Sequence, residues 1–232
     1  MKRKLVVLIN EETANDSYLG LLKLKYEVEV VKLGEILKKK EKGEVSPQVD
    51  LVLFTGGEDV DPNFYNERVG KYTSANPARD SRESQMFTLL GNKIPKLGIC
   101  RGAQFLTVMS GGRLIQHVEN HGIGGTHPIT FNHLYGSKKM PMTSTHHQMM
   151  YPYGLKEGKE YILCAHSTNH LSSKYWNGQD KNIEIKEDFL EPEIVFYPRT
   201  NSLGIQGHPE SGIMKEVDKM FILNYIDNIL KL

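Results

Sequence analysis

Three features of the 232-residue sequence predict a three-layer α/β fold with a mostly parallel central sheet and a smaller antiparallel β portion. Short apolar runs at residues 5–9, 51–54 and 94–99 are separated by stretches with helical spacing. Right-handed crossovers turn that alternation into a parallel sheet covered on both faces. The second and third runs end in residues with chemical use, TGGEDVDP and CRG, as expected of loops at the carboxyl ends of parallel strands. The second half breaks into short extended segments with polar interruptions, which reads as antiparallel structure. The length fits a single domain over residues 1–232.

In chain order, residues 5–9 (LVVLI) suit a buried parallel strand, and residues 12–25 follow as a helix carrying Leu19, Leu21, Leu22 and Leu24. Residues 26–31 (YEVEVV) alternate as a half-buried strand does. The lysine and glutamate cluster at 38–42 reads as a solvated helix end rather than a functional basic patch. After the strand at 51–54, the GG pair Gly56 and Gly57 frees the backbone to aim N–H groups at a ligand; a plain tight turn is the alternative. Residues 66–76 read as a loop and 79–90 as a helix with Arg79, Asp80, Arg82 and Glu83 near its first turn. Those charges fit either an exposed helix start or recognition of a zwitterionic substrate, since arginine matches a carboxylate bidentately.

The segment KLGICRGAQ follows, with Gly98 and Gly102 each two residues from Cys100. This is the pattern of a strand-to-helix elbow that presents a nucleophile, here a thiol, beside a helix N-terminus that favours thiolate. A buried structural cysteine is the alternative. Residues 103–109 continue the helix, and Ser110, Gly111 and Gly112 stop it. His117, His121, His127 and His133 are spaced by four, six and six residues. No carboxylate or thiol in the pattern completes a ligand set, so no metal is expected. Residues 126–131 read as a strand and 141–150 (PMTSTHHQMM) as turn-rich, with His146 and His147 adjacent. Residues 160–165, 183–186 and 193–197 read as short strands, 202–210 approach GHPE with His208 and Glu210, and 214–230 form a closing amphipathic helix. Cys164 reads as core packing and Trp176 as a surface anchor.

Composition narrows the classes. Lysine and arginine total 29 against 28 acidic residues, so no overall field points to nucleic acid, an anionic membrane or an acidic partner. Two cysteines are too few for a disulfide framework and suit a reducing cytoplasm. The apolar run after MKRK is too short for a signal sequence, and no run is long enough to span a membrane.

Taken in order, TGGEDVDP, GICRGAQ and GHPE resemble the class I glutamine amidotransferase-like family, of flavodoxin-like fold, over most of the chain. The TGG-x-D-[VI]-D-P form and RDSRE resemble its gamma-glutamyl hydrolase-like branch, which includes hydrolases of gamma-glutamyl-gamma-aminobutyrate. The resemblance implies hydrolysis of the gamma-glutamyl amide of a small-molecule conjugate by a Cys-His-Glu triad. Cys100 would attack, His208 would move the proton and Glu210 would orient His208. An amide also needs fixed donors for its oxyanion, and the backbone N–H groups of Arg101 and Gly57 are the candidates. Gly56, Gln104, Ser144, Thr145, His146 and Arg79 are the expected substrate-binding residues, with His146 and His147 both open as the one facing the site. No cofactor is called for. A glutaminase that supplies ammonia to a separate synthetase uses the same triad, and a non-catalytic binding module is the reading from another class. The leaving amine and the oligomeric state, a homodimer included, are left open by the sequence.

Overall fold

A computed structural model of the chain describes residues 2–10, 16–45, 47–132, 137–186 and 188–232. The first half runs β1 (Arg3–Ile9), α1 (Asp16–Lys23), β2 (Tyr26–Lys32), α2 (Leu33–Glu41), β3 (Leu51–Phe54), α3 (Pro77–Leu89), β4 (Lys96–Ile99) and α4 (Arg101–Met109). It continues with β5 (Arg113–Ile115), β6 (His117–Val118), β7 (Gly125–Phe131), β8 (Lys139–Ser144), β9 (Met149–Tyr151), β10 (Ile162–Ser167), β11 (Tyr175–Trp176), β12 (Pro192–Tyr197), β13 (Ser202–Ile205) and α5 (Glu216–Leu230). Nine strands form one sheet in the order β2-β1-β3-β4-β13-β12-β10-β7-β8. The pairs from β2 through β13 are parallel and the rest antiparallel. Two-stranded sheets pair β6 with β11 and β5 with β9.

Side-chain alternation makes the three layers. Leu5, Val7 and Ile9 of β1, with Leu51 and Leu53 of β3, join one buried cluster with α1 and α5 residues such as Leu22 and Ile226. Their neighbours Leu8, Val52 and Phe54 face the other way, against Ile36 of α2, Met86 of α3 and Phe105 of α4. Successive strand residues point to opposite faces, so an uninterrupted apolar run is what a sheet covered on both sides requires. Ile222, Leu223 and Ile226 of α5 are fully buried and contribute roughly 1.5–3 kcal/mol each by leaving water. No helix among the described residues is long and apolar enough to cross a membrane.

The position of β13 matters most for chemistry. It lies parallel to β4 in register, with Ile99 opposite Ile205, and the Cys100 N–H donates to the Ile205 carbonyl at 2.7 Å. Residues just beyond Ile99 and just beyond Ile205 therefore emerge side by side, although about a hundred residues separate them in sequence.

Three local expectations change. Residues 141–150 are not turn-rich throughout: β8 and β9 flank a short connection holding His146 and His147. No strand forms at 183–186, where the Ile183 N–H donates to the Tyr175 carbonyl and Ile183 and Ile185 pack on the Tyr175–Phe189 aromatic cluster. The first helix begins at Asp16; residues 12–15 of that expected helix, and His133, lie outside the described residues.

Candidate active site

Cys100 sits between the last residue of β4 and the first of α4 with φ 55° and ψ −112°. A non-glycine residue at positive φ is strained, and the strain holds the side chain out of the turn. Gly102 makes the turn sterically feasible, because a β-carbon there would overlap the Phe54 carbonyl. As the first residue of α4, Arg101 carries a backbone N–H with no acceptor inside the helix.

His208 meets this thiol from the end of β13. Its Nδ1 pairs with Glu210 Oε1 at 2.6 Å, which leaves Nε2 as the atom able to face the thiol, and its backbone N–H donates to Thr143 Oγ1. Burial alone would disfavour the charged ring, but hydrogen bonding and charge from Cys100 and Glu210 outweigh it and raise the His208 pKa to about 10. The result is an imidazolium held between the Cys100 sulfur and the Glu210 side chain.

Gly56 completes the contact. A β-carbon at this position would lie 2.9 Å from His208 Cε1, 2.7 Å from Tyr18 Oη and 3.6 Å from Cys100 Cβ. The Gly56 N–H donates to Tyr18 Oη at 3.1 Å. Burial, followed by the nearby Glu210 charge, pushes the Tyr18 hydroxyl up to about 12, so it stays protonated. Sequence reasoning passes over Tyr18, which sits among the leucines of α1 with no motif around it.

The thiol opens into a cavity of about 230 Å³ lined by Gly57, Glu58, Gln104, Thr145, His146 and His147 among others. A larger cleft of about 520 Å³ lies at the opposite edge of the sheet, at the amino ends of β1 and β4, away from any candidate nucleophile. Of the expected substrate-binding residues, Gly56, Gln104, Thr145 and His146 are at or around the cavity; Ser144 and Arg79 are not among its lining residues. Ser144 is fully buried and its hydroxyl donates to the His121 carbonyl at 2.7 Å.

Arg79 is held by the protein itself. Its Nε donates to Glu83 at 2.9 Å, Nη1 to Glu58 at 3.0 Å, and Nη2 to the Thr55 and Gly56 carbonyls, each at 3.0 Å. Four of its N–H groups are thus engaged in the protein, and the guanidinium braces the GG turn. Arg101 extends the brace: its buried guanidinium pairs with Asp80 and Glu83, tying the first turn of α4 to that of α3. Arg79, Asp80 and Glu83 of the RDSRE segment thus tie the GG turn to the start of α4, and all three are buried.

The adjacent histidines divide. His146 is buried, with Nδ1 donating to the Gln148 carbonyl at 2.8 Å, while His147 is half-exposed and lies 3.1 Å from Asp59. Gln104 Nε2 donates to the same Gln148 carbonyl at 3.0 Å. His147 is also close to His117, which stacks on Tyr72 at 4.1 Å between ring centroids, and Tyr72 stacks on Trp176 at 5.2 Å. An aromatic rim therefore adjoins the cavity mouth, and Trp176 is part of it rather than an isolated anchor. Tyr72 from a loop, His117 from β6 and Trp176 from β11 build this rim, so no sequence spacing announces it.

Residues 27–170 match the Peptidase C26 family. A Schizosaccharomyces pombe protein of the glutamine amidotransferase type, PB2B2.05, is 28% identical over 207 residues, covering 81% of this chain and 72% of its own. The glutamine amidotransferase-like protein YvdE of Lactococcus lactis is 45% identical over 71 residues, 29% of this chain and 30% of its own. Among solved structures, a Thermoplasma acidophilum protein described as part of a GMP synthase superposes with a TM-score of 0.61 at 15% identity, covering 100% of this chain and 96% of its own. A glutamine amidotransferase from Thermotoga maritima gives a TM-score of 0.50 at 16% identity over 100% of this chain and 85% of its own. At such identities the structural likeness speaks to fold alone, and the fold is that of the glutamine amidotransferases. The chain belongs to the Peptidase C26 family, class I glutamine amidotransferase-like proteins that act on amide bonds.

Proposed function

We propose that this chain hydrolyses the gamma-glutamyl amide of a small conjugate through a thioester on Cys100. The observation that carries the reading is a His208–Glu210 pair beside an elbow thiol that lines a small cavity. In the first half-reaction the Cys100 thiolate attacks the amide carbonyl and a C–S bond forms. The oxyanion takes N–H groups from Arg101 and Gly57, and the His208 imidazolium gives its proton to the departing nitrogen as the C–N bond breaks. In the second, His208 takes a proton from water, the hydroxide attacks the thioester, and the C–S bond breaks to release glutamate and restore the thiolate–imidazolium pair. Glu210 keeps the His208 ring oriented and its charge compensated throughout.

The cavity is below the range of drug-sized sites, which favours a compact acyl group such as glutamyl, held along Gln104, Thr145 and the GG turn. The aromatic rim of Tyr72, His117 and Trp176 is where the amine portion of the conjugate would rest. Incubation with a panel of gamma-glutamyl amides tests the reading: glutamate release by the wild-type chain and none by Cys100→Ala is expected, and undiminished release by the variant would overturn it. A second reading, ammonia donation from glutamine to a separate synthetase, is favoured by the amidotransferase names of the relatives. It predicts glutaminase activity that arises only when a partner synthetase is present.

A further inference from the structure

The cavity-lining His146 also belongs to a second assembly of histidines and carboxylates, the rest of which the hydrolytic reading does not use. It gathers His121 from the loop after β6, His146 from the loop after β8, and Glu193 from β12. All three are buried, and their ligand-capable atoms lie within 4.8 Å of one another. No spacing in the sequence joins them, because the carboxylate comes from a strand more than forty residues beyond the last of these histidines.

The hydrogen-bond partners around the cluster fix what its inner atoms can do. A carbonyl only accepts, so the 2.8 Å bond from His146 Nδ1 to Gln148 O puts the ring proton on Nδ1 and leaves a lone pair on Nε2. His121 Nε2 lies 3.3 Å from Glu191 Oε2 without forming a well-aligned hydrogen bond; a proton on Nε2 would face that carboxylate and leave the lone pair on Nδ1. Glu191 is itself anchored by the N–H groups of Leu171 and Ser172 and by the Tyr175 hydroxyl. Glu193 Oε1 pairs with His127 Nε2 at 2.9 Å. His146 Nε2, His121 Nδ1 and Glu193 Oε2 are buried with no hydrogen-bond partner, as are His121 Nε2 and His127 Nδ1 beside them.

Three lone pairs turned toward each other in the interior repel and are desolvated without compensation. A single proton bridges two of them and leaves the third. The distances also argue against direct bonds: His121 Nδ1 and His146 Nε2 stand 3.9 and 4.0 Å from Glu193 Oε1, beyond hydrogen-bond reach. The ligand-capable atoms lie within 4.8 Å of one another, so a modest side-chain adjustment brings them to the roughly 3.3 Å separation of ligands that each sit 2.0–2.1 Å from a tetrahedral centre. We propose that His121, His146 and Glu193 form a binding site for one divalent transition-metal ion of the zinc type, with Gln148 O, Glu191 and His127 as the outer groups that orient the three ligands. Two imidazoles and one carboxylate, each held by a partner on its far side, are the donor set such ions take, with a fourth position for a solvent oxygen.

The ion would be structural. His146 and Gln104 share the Gln148 carbonyl, so fixing the His146 ring fixes the wall of the cavity. His146 N and Ser144 Oγ both donate to the His121 carbonyl, so the two histidine loops move as one unit. Of the three ligands only His146 reaches the cavity, and the ion has no part in the bond-making steps.

The test uses the full chain in a Cys100→Ala background, which removes the thiolate as a competing ligand. Purification with zinc present, followed by elemental analysis, is expected to give about one zinc per chain. Stripping with a chelator is expected to lower Tm and zinc to restore it. Cobalt(II) added to the stripped protein should develop the visible absorption of a tetrahedral nitrogen and oxygen site. Glu193→Gln and His146→Gln should each weaken metal binding at least about tenfold. The cobalt titration of unsubstituted ligands stands even if those variants fail to fold. Zinc content well below one per chain, with no cobalt band and no change in Tm on adding zinc, would overturn the proposal, as would full occupancy in a folded Glu193→Gln variant.

Discussion

The chain contains two histidine–carboxylate assemblies, and the comparison between them explains where reactivity resides. At the end of β13, His208 is paired with Glu210 and stands beside a thiol at the edge of a cavity; its side chain retains 22% exposure. In the cavity wall, His146 is buried among His121, His127 and Glu193. The ring pKa values move in opposite directions. Burial at His208 is outweighed by hydrogen bonding and charge from Cys100 and Glu210, whereas burial and the neighbouring His121 hold His146 well below its usual range. The same residue types thus make a proton carrier in one place and a set of lone pairs in the other. The difference is whether an anion lies within hydrogen-bond distance and whether substrate can reach the ring.

The two cysteines repeat the contrast. Cys100 is displayed at a strained elbow, while Cys164 lies in β10 and burial raises its pKa to about 11.

Each way of breaking these contrasts has an expected outcome. The largest is Cys100→Ala, which should lower kcat/KM for a gamma-glutamyl amide on the order of 10⁴- to 10⁶-fold while the far-UV spectrum and Tm stay near wild type. Glu210→Gln keeps the shape but removes the charge behind His208, and should cost on the order of 10²- to 10⁴-fold in kcat with a smaller change in KM. Arg101→Met keeps the backbone N–H at the oxyanion position but strands Asp80 and Glu83, and denaturant unfolding should read a loss of about 3–5 kcal/mol. Gly56→Ala pushes a methyl against His208 and Tyr18, and a loss of about 100-fold in kcat with a folded protein is expected. Alkylation by iodoacetamide near pH 7, read by peptide mapping, should reach Cys164 at least about a hundredfold more slowly than Cys100.

The pH dependence sharpens the same point. Because the folded pKa of His208 is raised from 6.5 to about 10, its contribution to stability is present in full below about 6.5 and is lost as pH rises through about 10. Hydrolysis should fall over the same alkaline limb as the imidazolium loses the proton meant for the leaving amine. Glu210→Gln should move that limb to lower pH, and a rate profile that ignores the substitution would argue against the pairing.

The parallel half of the fold is legible in the sequence because burial on both faces demands uninterrupted apolar runs, and β1, β3 and β4 have them. Cys100 and GHPE are legible because an elbow and a strand end constrain residue type locally. The antiparallel half is harder: β8 and β9 carry methionines, prolines and threonines without clean alternation, and the apolar pair at 183 and 185 packs on aromatic side chains with no strand formed. Arg79 is ambiguous because a helix-start arginine looks the same in sequence whether it meets a substrate or the carbonyls of the Thr55–Gly56 turn. Glu193 is invisible as a partner of His121 and His146, since only the β10–β12 pairing and the loops above it bring the three together.

Intact-mass spectrometry during turnover tests the central claim most directly. His208→Ala mixed with a gamma-glutamyl amide bearing a good leaving group should accumulate an adduct equal in mass to one glutamyl residue, located on Cys100 by peptide mapping and absent in Cys100→Ala. Glutamate release without any such adduct, or an adduct that persists after Cys100 is replaced, would contradict it.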